Sequence, residues 1–212
     1  KGDSINEKHY KSISKDMLNP ISFTITVNDV LMRLQKFSDG KYTHTKDRGF
    51  AFEYILHQNT DSILNKSIND YYLPEKNAEI PMVFISPTII NNGHLLIVSP
   101  QKIAYMTNKT DNSYFDGIEF SRLFTGQDAQ NLKITSALRM NATFPYISPV
   151  VYLPSKPMLE VMDAGLKDNL GTDLSIQFIR TFKDWISQNT SGVILLQIRA
   201  RERMVLSDKQ HS

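Results

Sequence analysis

Asp163 closes a short apolar run, Leu159, Val161 and Met162, and is followed at once by two small residues, Ala164 and Gly165. The stretch Val161-Met-Asp-Ala-Gly-Leu-Lys-Asp-Asn-Leu-Gly-Thr-Asp173 then enters a helix-like pattern near Thr172. The layout predicts a strand ending on a carboxylate, a tight turn, and a helix. In α/β proteins ligands gather outside the carboxyl ends of strands, so Asp163 is the first candidate for chemistry. The small residues beside it leave room for a substrate or a second catalytic group. A carboxylate, with a reference pKa of about 3.9, is a weak base in water, and burial raises that value by disfavouring the charge. Asp168 and Asn169 read differently, as residues that stabilise the turn or cap the following helix.

Other chemistries find little purchase. The chain of 212 residues has no cysteine, which excludes disulfides, thiolate nucleophiles and zinc–thiolate sites. Its five histidines, His9, His44, His57, His94 and His211, are scattered without metal-ligand spacing, so no metal is expected. A formal net charge of +2 is too small for a nucleic-acid footprint, and the basic cluster Arg199, Arg201, Arg203 is interrupted by Glu202. No apolar run approaches the roughly 20 residues of a membrane span. The composition, 41% apolar and 22% charged, is that of an ordinary globular chain able to build a real core. It begins with Lys1 rather than Met, which suggests a processed or excised chain.

The elements that must position Asp163 follow from periodicity. Residues 1–9 are polar and read as loose. After a break at Met17-Leu-Asn-Pro20, the residues Ile21, Phe23, Ile25 and Val27 alternate with polar ones and predict a half-buried strand. Asn28 and Asp29 are cap candidates for a short helix through Phe37, and Asp39-Gly40 turns the chain. Asp47 is placed to cap a helix from Arg48 to about Gln58, and Asp61 another that Pro74 ends. Pro81–Ser86 and His94–Ser99 are nearly continuous apolar runs joined through Asn92-Gly93, as strands covered on both faces would be. Residues 107–130 read as a surface excursion, and Ile134 to Phe144 as a helix ended by Pro145. Beyond the Asp163 turn, Leu174, Phe178, Ile179, Phe182, Trp185 and Ile186 share one helical face. Gly192 stops that helix, and Val193–Ile198 predicts a final buried strand. Alternating strands and helices argue for a layered α/β fold.

Several of these segments, in this order, resemble the patatin-like phospholipases, particularly their bacterial members. Asp16-Met-Leu-Asn-Pro20 with Asn28-Asp29 is similar to the segment downstream of that family's nucleophile helix, and Asp47-Arg-Gly49 to the start of the next helix. Pro81-Met-Val-Phe-Ile-Ser-Pro-Thr88 with Gly93 resembles the strand pair leading to the active site. Ile134-Thr-Ser-Ala-Leu-Arg-Met-Asn-Ala-Thr-Phe-Pro145 resembles the helix before the aspartate strand. Asp163-Ala-Gly165 with Asp168-Asn-Leu-Gly171 is similar to the family's Asp-Gly-Gly/Ala turn and its downstream Asn-x-Gly, with Ala164 where glycine is usual.

The resemblance covers roughly residues 10–200 and implies a layered α/β/α patatin-like sheet. It further implies a serine–aspartate dyad that hydrolyses lipid esters, with Asp163 as the catalytic aspartate and no cofactor. The residues depart from that scheme at one decisive point: no serine lies in a Gly-x-Ser-x-Gly elbow, and no glycine-rich loop offers N–H groups to an oxyanion. Residues 1–212 are therefore read as the C-terminal portion of a single hydrolase domain, inactive alone. A missing N-terminal segment or a companion chain would supply the serine and the oxyanion loop, and without it a sheet border would stand open. The implied partners are that segment, a lipid ester and a membrane surface, with no nucleic acid. The alternative is a non-catalytic binding or assembly module on the same scaffold.

Overall fold

Strand register fixes where Asp163 stands, and the helices follow from what the sheet must cover. The computed structural model describes residues 2–27, 36–39, 42–107, 115–144 and 146–199. The fold is mixed α/β, with helices around a five-stranded mixed sheet.

The N-terminal region departs from expectation. Residues read as loose form helix α1, Gly2–Ile13, supported by a Glu7–Lys11 pair at 2.9 Å one turn apart. The segment expected as a strand at Ile21–Val27 is instead the body of helix α2, Leu18–Val27. Its alternation hid a second spacing: Ile21 and Thr24 are buried and Ile25 half-buried, while Phe23 is exposed, so the buried set follows a helical step. Pro20 lies in the first turn, where its missing N–H costs nothing, and the Asp16 carboxylate accepts from Asn19 N–H at 3.2 Å. Most of the helix expected from Asn28 lies outside the described residues, and its end is corrected: Phe37 belongs to strand β1, Lys36–Asp39, paired antiparallel with β2, Tyr42–Thr45.

Helix α3, Arg48–Asn59, forms as its cap predicts, with Asp47 accepting from Phe50 N–H at 3.0 Å. The helix expected from Asp61 does not form. Asp61 and Ser62 take left-handed backbone (φ 50° and 60°), and helical structure resumes only as a 3-10 turn over Ile68–Tyr71 that runs into α4, Tyr72–Lys76. Tertiary pairing decides this: Ile68 N–H donates to Leu132 O at 2.8 Å, and Ile134 N–H to Lys66 O at 3.0 Å.

The sheet is built from β3 (Thr88–Ile89), β4 (His94–Ile97), β5 (Gly117–Glu119), β6 (Val151–Leu153) and β7 (Leu159–Met162), in the order β5-β4-β3-β7-β6. The strand expected at Pro81–Ser86 survives only as a bridge between Ile85 and Val98. Pro87 has no N–H for a ladder, and Val83 N–H is taken by the Glu75 side chain at 2.9 Å. The stretch read as an excursion holds β5 and, directly after it, α6 (Phe120–Leu123). Phe120 and Phe124 are core residues.

Two clusters cover the sheet. Leu96 and Val98 pack with Ile89, Val161 and Leu153 against Phe120, Phe124 and helix α7, Ile134–Asn141. Helix α7 ends three residues short of Phe144, and Pro145 lies outside the described residues. Leu95 and Ile97 pack with Ile103, with Met106 of helix α5 (Ala104–Thr107) and with Leu174 of helix α8 (Thr172–Thr181). Because successive strand residues face opposite ways, these clusters lie on opposite faces. Leu96 and Ile97 are fully buried, each contributing about 1.5–3 kcal/mol to folding.

The C-terminal helix breaks at Phe182 and resumes as α9, Lys183–Asn189. The Phe178 ring packs at a tilt against Phe182, 4.8 Å between centroids, and Phe84, 5.9 Å, as a core stripe should, but Trp185 is exposed. The final segment is the largest correction. Val193–Ile198 forms no strand with any of the described residues, and its apolar side chains are exposed.

Candidate active site

β4 runs antiparallel to β3, and β3 antiparallel to β7, so β4, β5 and β7 share one direction. Their carboxyl ends therefore meet at a single border of the sheet, and Asp163 follows β7 there. Its N–H donates to Thr143 O at 3.0 Å, which ties the strand end to the exit of α7. Its side chain accepts from Gly165 N–H at 2.5 Å and so opens a 3-10 turn over Ala164–Leu166. Asp163 is half-buried, and no ion pair joins it among the described residues.

The small residues have distinct reasons. A Cβ on Gly165 would lie 2.6 Å from Asp163 Oδ1, so a larger residue would push the carboxylate aside. Ala164 is buried, its N–H-bearing turn closed by Asp168 N–H to Ala164 O at 2.9 Å. Asp168 performs the capping role its position suggests. It is 5% exposed and accepts from Thr172 N–H at 2.7 Å and Leu174 N–H at 3.1 Å, satisfying two free donors at the start of α8. Asn169 is exposed beside it.

Exposed apolar residues follow both Thr143 and Asp163 along the chain. The segment after Thr143 carries exposed Phe144, Tyr146 and Ile147, and the turn after Asp163 carries exposed Leu166. Arg48 holds the first of these in place by donating to Tyr146 O at 2.6 Å and Ile147 O at 3.1 Å. Tyr146 has left-handed backbone (φ 70°) and is 94% exposed, so it presents its ring to solvent instead of packing.

Two clefts are formed elsewhere. One of about 330 Å³ is lined by Lys8, Lys11, Lys15 and Asp61, but its lysines are engaged by Asp61, Glu7 and Asn59 O. The other, of about 220 Å³, lies between β4 and α8, beside the Lys167–Asp116 pair at 3.4 Å. Asp163 lines neither of them. Among the described residues no group of three or more His, Asp or Glu is placed to hold a metal. No helix among them is long and apolar enough to cross a membrane.

Sequence reasoning missed two buried acids. Glu119, at the end of β5, accepts from the Ser121 hydroxyl, and its other oxygen has no hydrogen-bond partner among the described residues. Glu75 accepts from Val83 N–H, and burial pushes its carboxyl above the usual range against the pull of that bond and of Gln101. Burial, then the charges of Glu119 and Glu75, push the Tyr105 hydroxyl up. Glu119 stands three strand spacings from β7, about 14 Å, too far to share a proton with Asp163. The signal was there: a glutamate set between Ile118 and Phe120 in an apolar run. Compared with protein-family models, with curated proteins and with solved structures, the chain finds no match.

Proposed function

We propose that this chain is the base-bearing portion of a serine–aspartate dyad acyl hydrolase of patatin-like layering, acting on lipid esters. Asp163 takes the proton of a serine hydroxyl supplied by another stretch of polypeptide, and that oxygen attacks the ester carbonyl. The alcohol leaves with the proton, and Asp163 then activates the water that releases the acyl group. The observation that carries the reading is the station of Asp163. It is a half-buried carboxylate at the shared carboxyl-end border of the sheet, with one oxygen held by Gly165 N–H and no ion pair among the described residues. The exposed Phe144, Tyr146 and Ile147 after Thr143, and Leu166 in the turn after Asp163, suit an acyl chain better than a charged substrate.

The test is ester hydrolysis by the chain joined to the polypeptide encoded ahead of it. Asp163→Asn should lower turnover about 10²–10⁴-fold, the usual worth of a general base. Unchanged turnover would remove Asp163 from the role. A serine-directed fluorophosphonate should leave the present chain unlabelled, and stoichiometric labelling would refute the divided dyad.

Two observations favour a second reading, a binding or assembly module without catalysis. Gly165 N–H already gives the Asp163 side chain a complete turn-forming task, and the exposed Val193–Ile198 segment suits assembly. Esterase silence of the joined chain, with the fold intact, would select it.

A further inference from the structure

Helix α8 carries a polarity that the reading of Asp163 does not use. Asp173, Ile176, Gln177 and Arg180 follow one another at steps of three, one and three residues, so they share one face of the helix. That face lines the cleft of about 220 Å³ between β4 and α8. An acid stands at one end of it and a base two turns away, about 10 Å along the axis, with the exposed aliphatic Ile176 between them. Leu95 and Phe115 add apolar surface to the same cleft. An acid in the first turn and a base in the last also suit the helix dipole, but that interaction is indifferent to the face they occupy. Here both charges, and the aliphatic between them, fall on the cleft.

The walls are fixed by bonds that leave those two charges unused. Gln177 Nε2 donates to Met106 O at 3.0 Å and ties α8 to α5. Leu95 N–H donates to Asp116 O at 3.0 Å, and Lys167 Nζ meets Asp116 Oδ2 at 3.4 Å, which joins the turn ahead of α8 to the start of β5. Lys167 and Asp116 thereby neutralise each other. The side chains of Asp173 and Arg180 have no ion-pair or hydrogen-bond partner among the described residues, and two turns apart they cannot meet. The cleft is left with one uncompensated charge of each sign and an apolar stretch between.

We propose that this cleft binds a small zwitterion of the ω-amino acid type, with its ammonium at Asp173, its carboxylate at Arg180 and its methylenes along Ile176. A carboxylate accepts from an ammonium, and the forked N–H groups of a guanidinium match a carboxylate with two parallel bonds. A dicarboxylate would set like charge against Asp173, and a diamine would do so against Arg180, so the cleft discriminates by repulsion as well as by attraction. A lysine at the C-terminus of a peptide presents the same amine and carboxylate at the same separation, so one chemistry has two sources. The inference stands on this cleft alone and does not depend on the role of Asp163.

The experiment titrates the present chain with ε-aminocaproate in a calorimeter. One saturable site is expected, with a dissociation constant on the order of 1 mM or tighter. Hexylamine and hexanoate, each lacking one of the two charges, should bind the parent at least about tenfold more weakly. The same loss is expected for ε-aminocaproate with Asp173→Asn and with Arg180→Gln. Both residues are exposed, so the variants should keep the circular dichroism and melting of the parent. In amide NMR spectra the shifts on titration should gather at Leu95, Phe115, Asp116 and α8, which line the cleft. Nα-acetyl-lysine with a free carboxylate separates the sources: binding as tight as that of ε-aminocaproate assigns the cleft to peptide C-termini, and weaker binding assigns it to a free amino acid. Absence of saturable heat would overturn the proposal. So would hexylamine or hexanoate binding as tightly as the zwitterion, binding indifferent to either substitution, or shifts gathered instead at the lysine-lined cleft of α1.

Discussion

At Asp163 one side chain has two jobs that substitution can separate. As a turn former it needs only an acceptor for Gly165 N–H, and asparagine supplies that as well as aspartate does. As a base it needs a carboxylate. Asp163→Asn should therefore melt within about 0.5 kcal/mol of the parent while losing any ester hydrolysis in the joined chain. Asp163→Ala should cost about 1 kcal/mol as well, as cap removals do. Equal melting temperatures for the two variants would mean that the turn does not depend on this bond. Glu75 offers a prediction in pH. Its folded-state pKa is raised above the ordinary 4.5, chiefly by burial, so the folded state holds the proton more tightly than the unfolded one. Stability from this group is present in full below the ordinary glutamate value and falls as pH rises through the interval up to the raised one. Glu75→Gln keeps an acceptor for Val83 N–H and has nothing to ionise. Thermal melts from about pH 4 to about pH 8 should show the variant gaining on the parent as pH rises, by the linkage that follows from the shift. Parallel curves would contradict it.

Between elements, the contact of α3 with α7 depends on the absence of a side chain. Arg139 of α7 lies across Gly49, reaches Glu53 Oε1 at 3.4 Å and approaches Asp47 Oδ2 at 3.8 Å. Ser136 donates to the same Glu53 at 2.9 Å. A Cβ on Gly49 would sit 2.1 Å from the guanidinium carbon. Gly49→Ala should displace that group and destabilise the fold by roughly 1–3 kcal/mol, although alanine is the better helix former. In an Arg139→Ala background the same change should cost nothing or stabilise, and denaturant melts of the four proteins of the cycle would decide it. The start of α8 gives a graded series. Asp168 accepts two N–H bonds, one on each oxygen. Asp168→Asn keeps one acceptor and Asp168→Ala none, so losses of about 1–2 and about 2–4 kcal/mol are expected in that order. Reversal of the order would show that the charge, not the acceptors, matters.

Across the whole molecule, what could be read from the sequence follows the reach of the interactions. Local signals held: the Asp47 cap, the Asn92-Gly93 turn with Gly93 at φ 72°, β4, β7 and the Asp163 turn are all set by neighbours within a few residues. Readings that needed distant partners failed. Residues 67 and 133 pair and forestall the helix from Asp61, and β5 gains its identity only beside β4. The alternation over residues 21–27 served two periods, and packing against α3 chose the helical one. Val193–Ile198 is the instructive case, since its pattern predicts a buried strand and nothing among the described residues buries it. This contrast gives a prediction for the intact chain in native-state hydrogen exchange. Leu96 and Val98 N–H groups are bonded to Pro87 O and Ile85 O at 2.8 Å each, within the core. Their amides should exchange only through global unfolding, the slowest in the protein. The amides of residues 193–199 donate to no backbone acceptor among the described residues and should exchange near intrinsic rates. Protection of that arm in a dilute monomer would mean that the fold itself shelters it. Protection that grows with protein concentration would instead mark self-association, so the dilution series separates an arm held by its own sheet from one that waits for a partner.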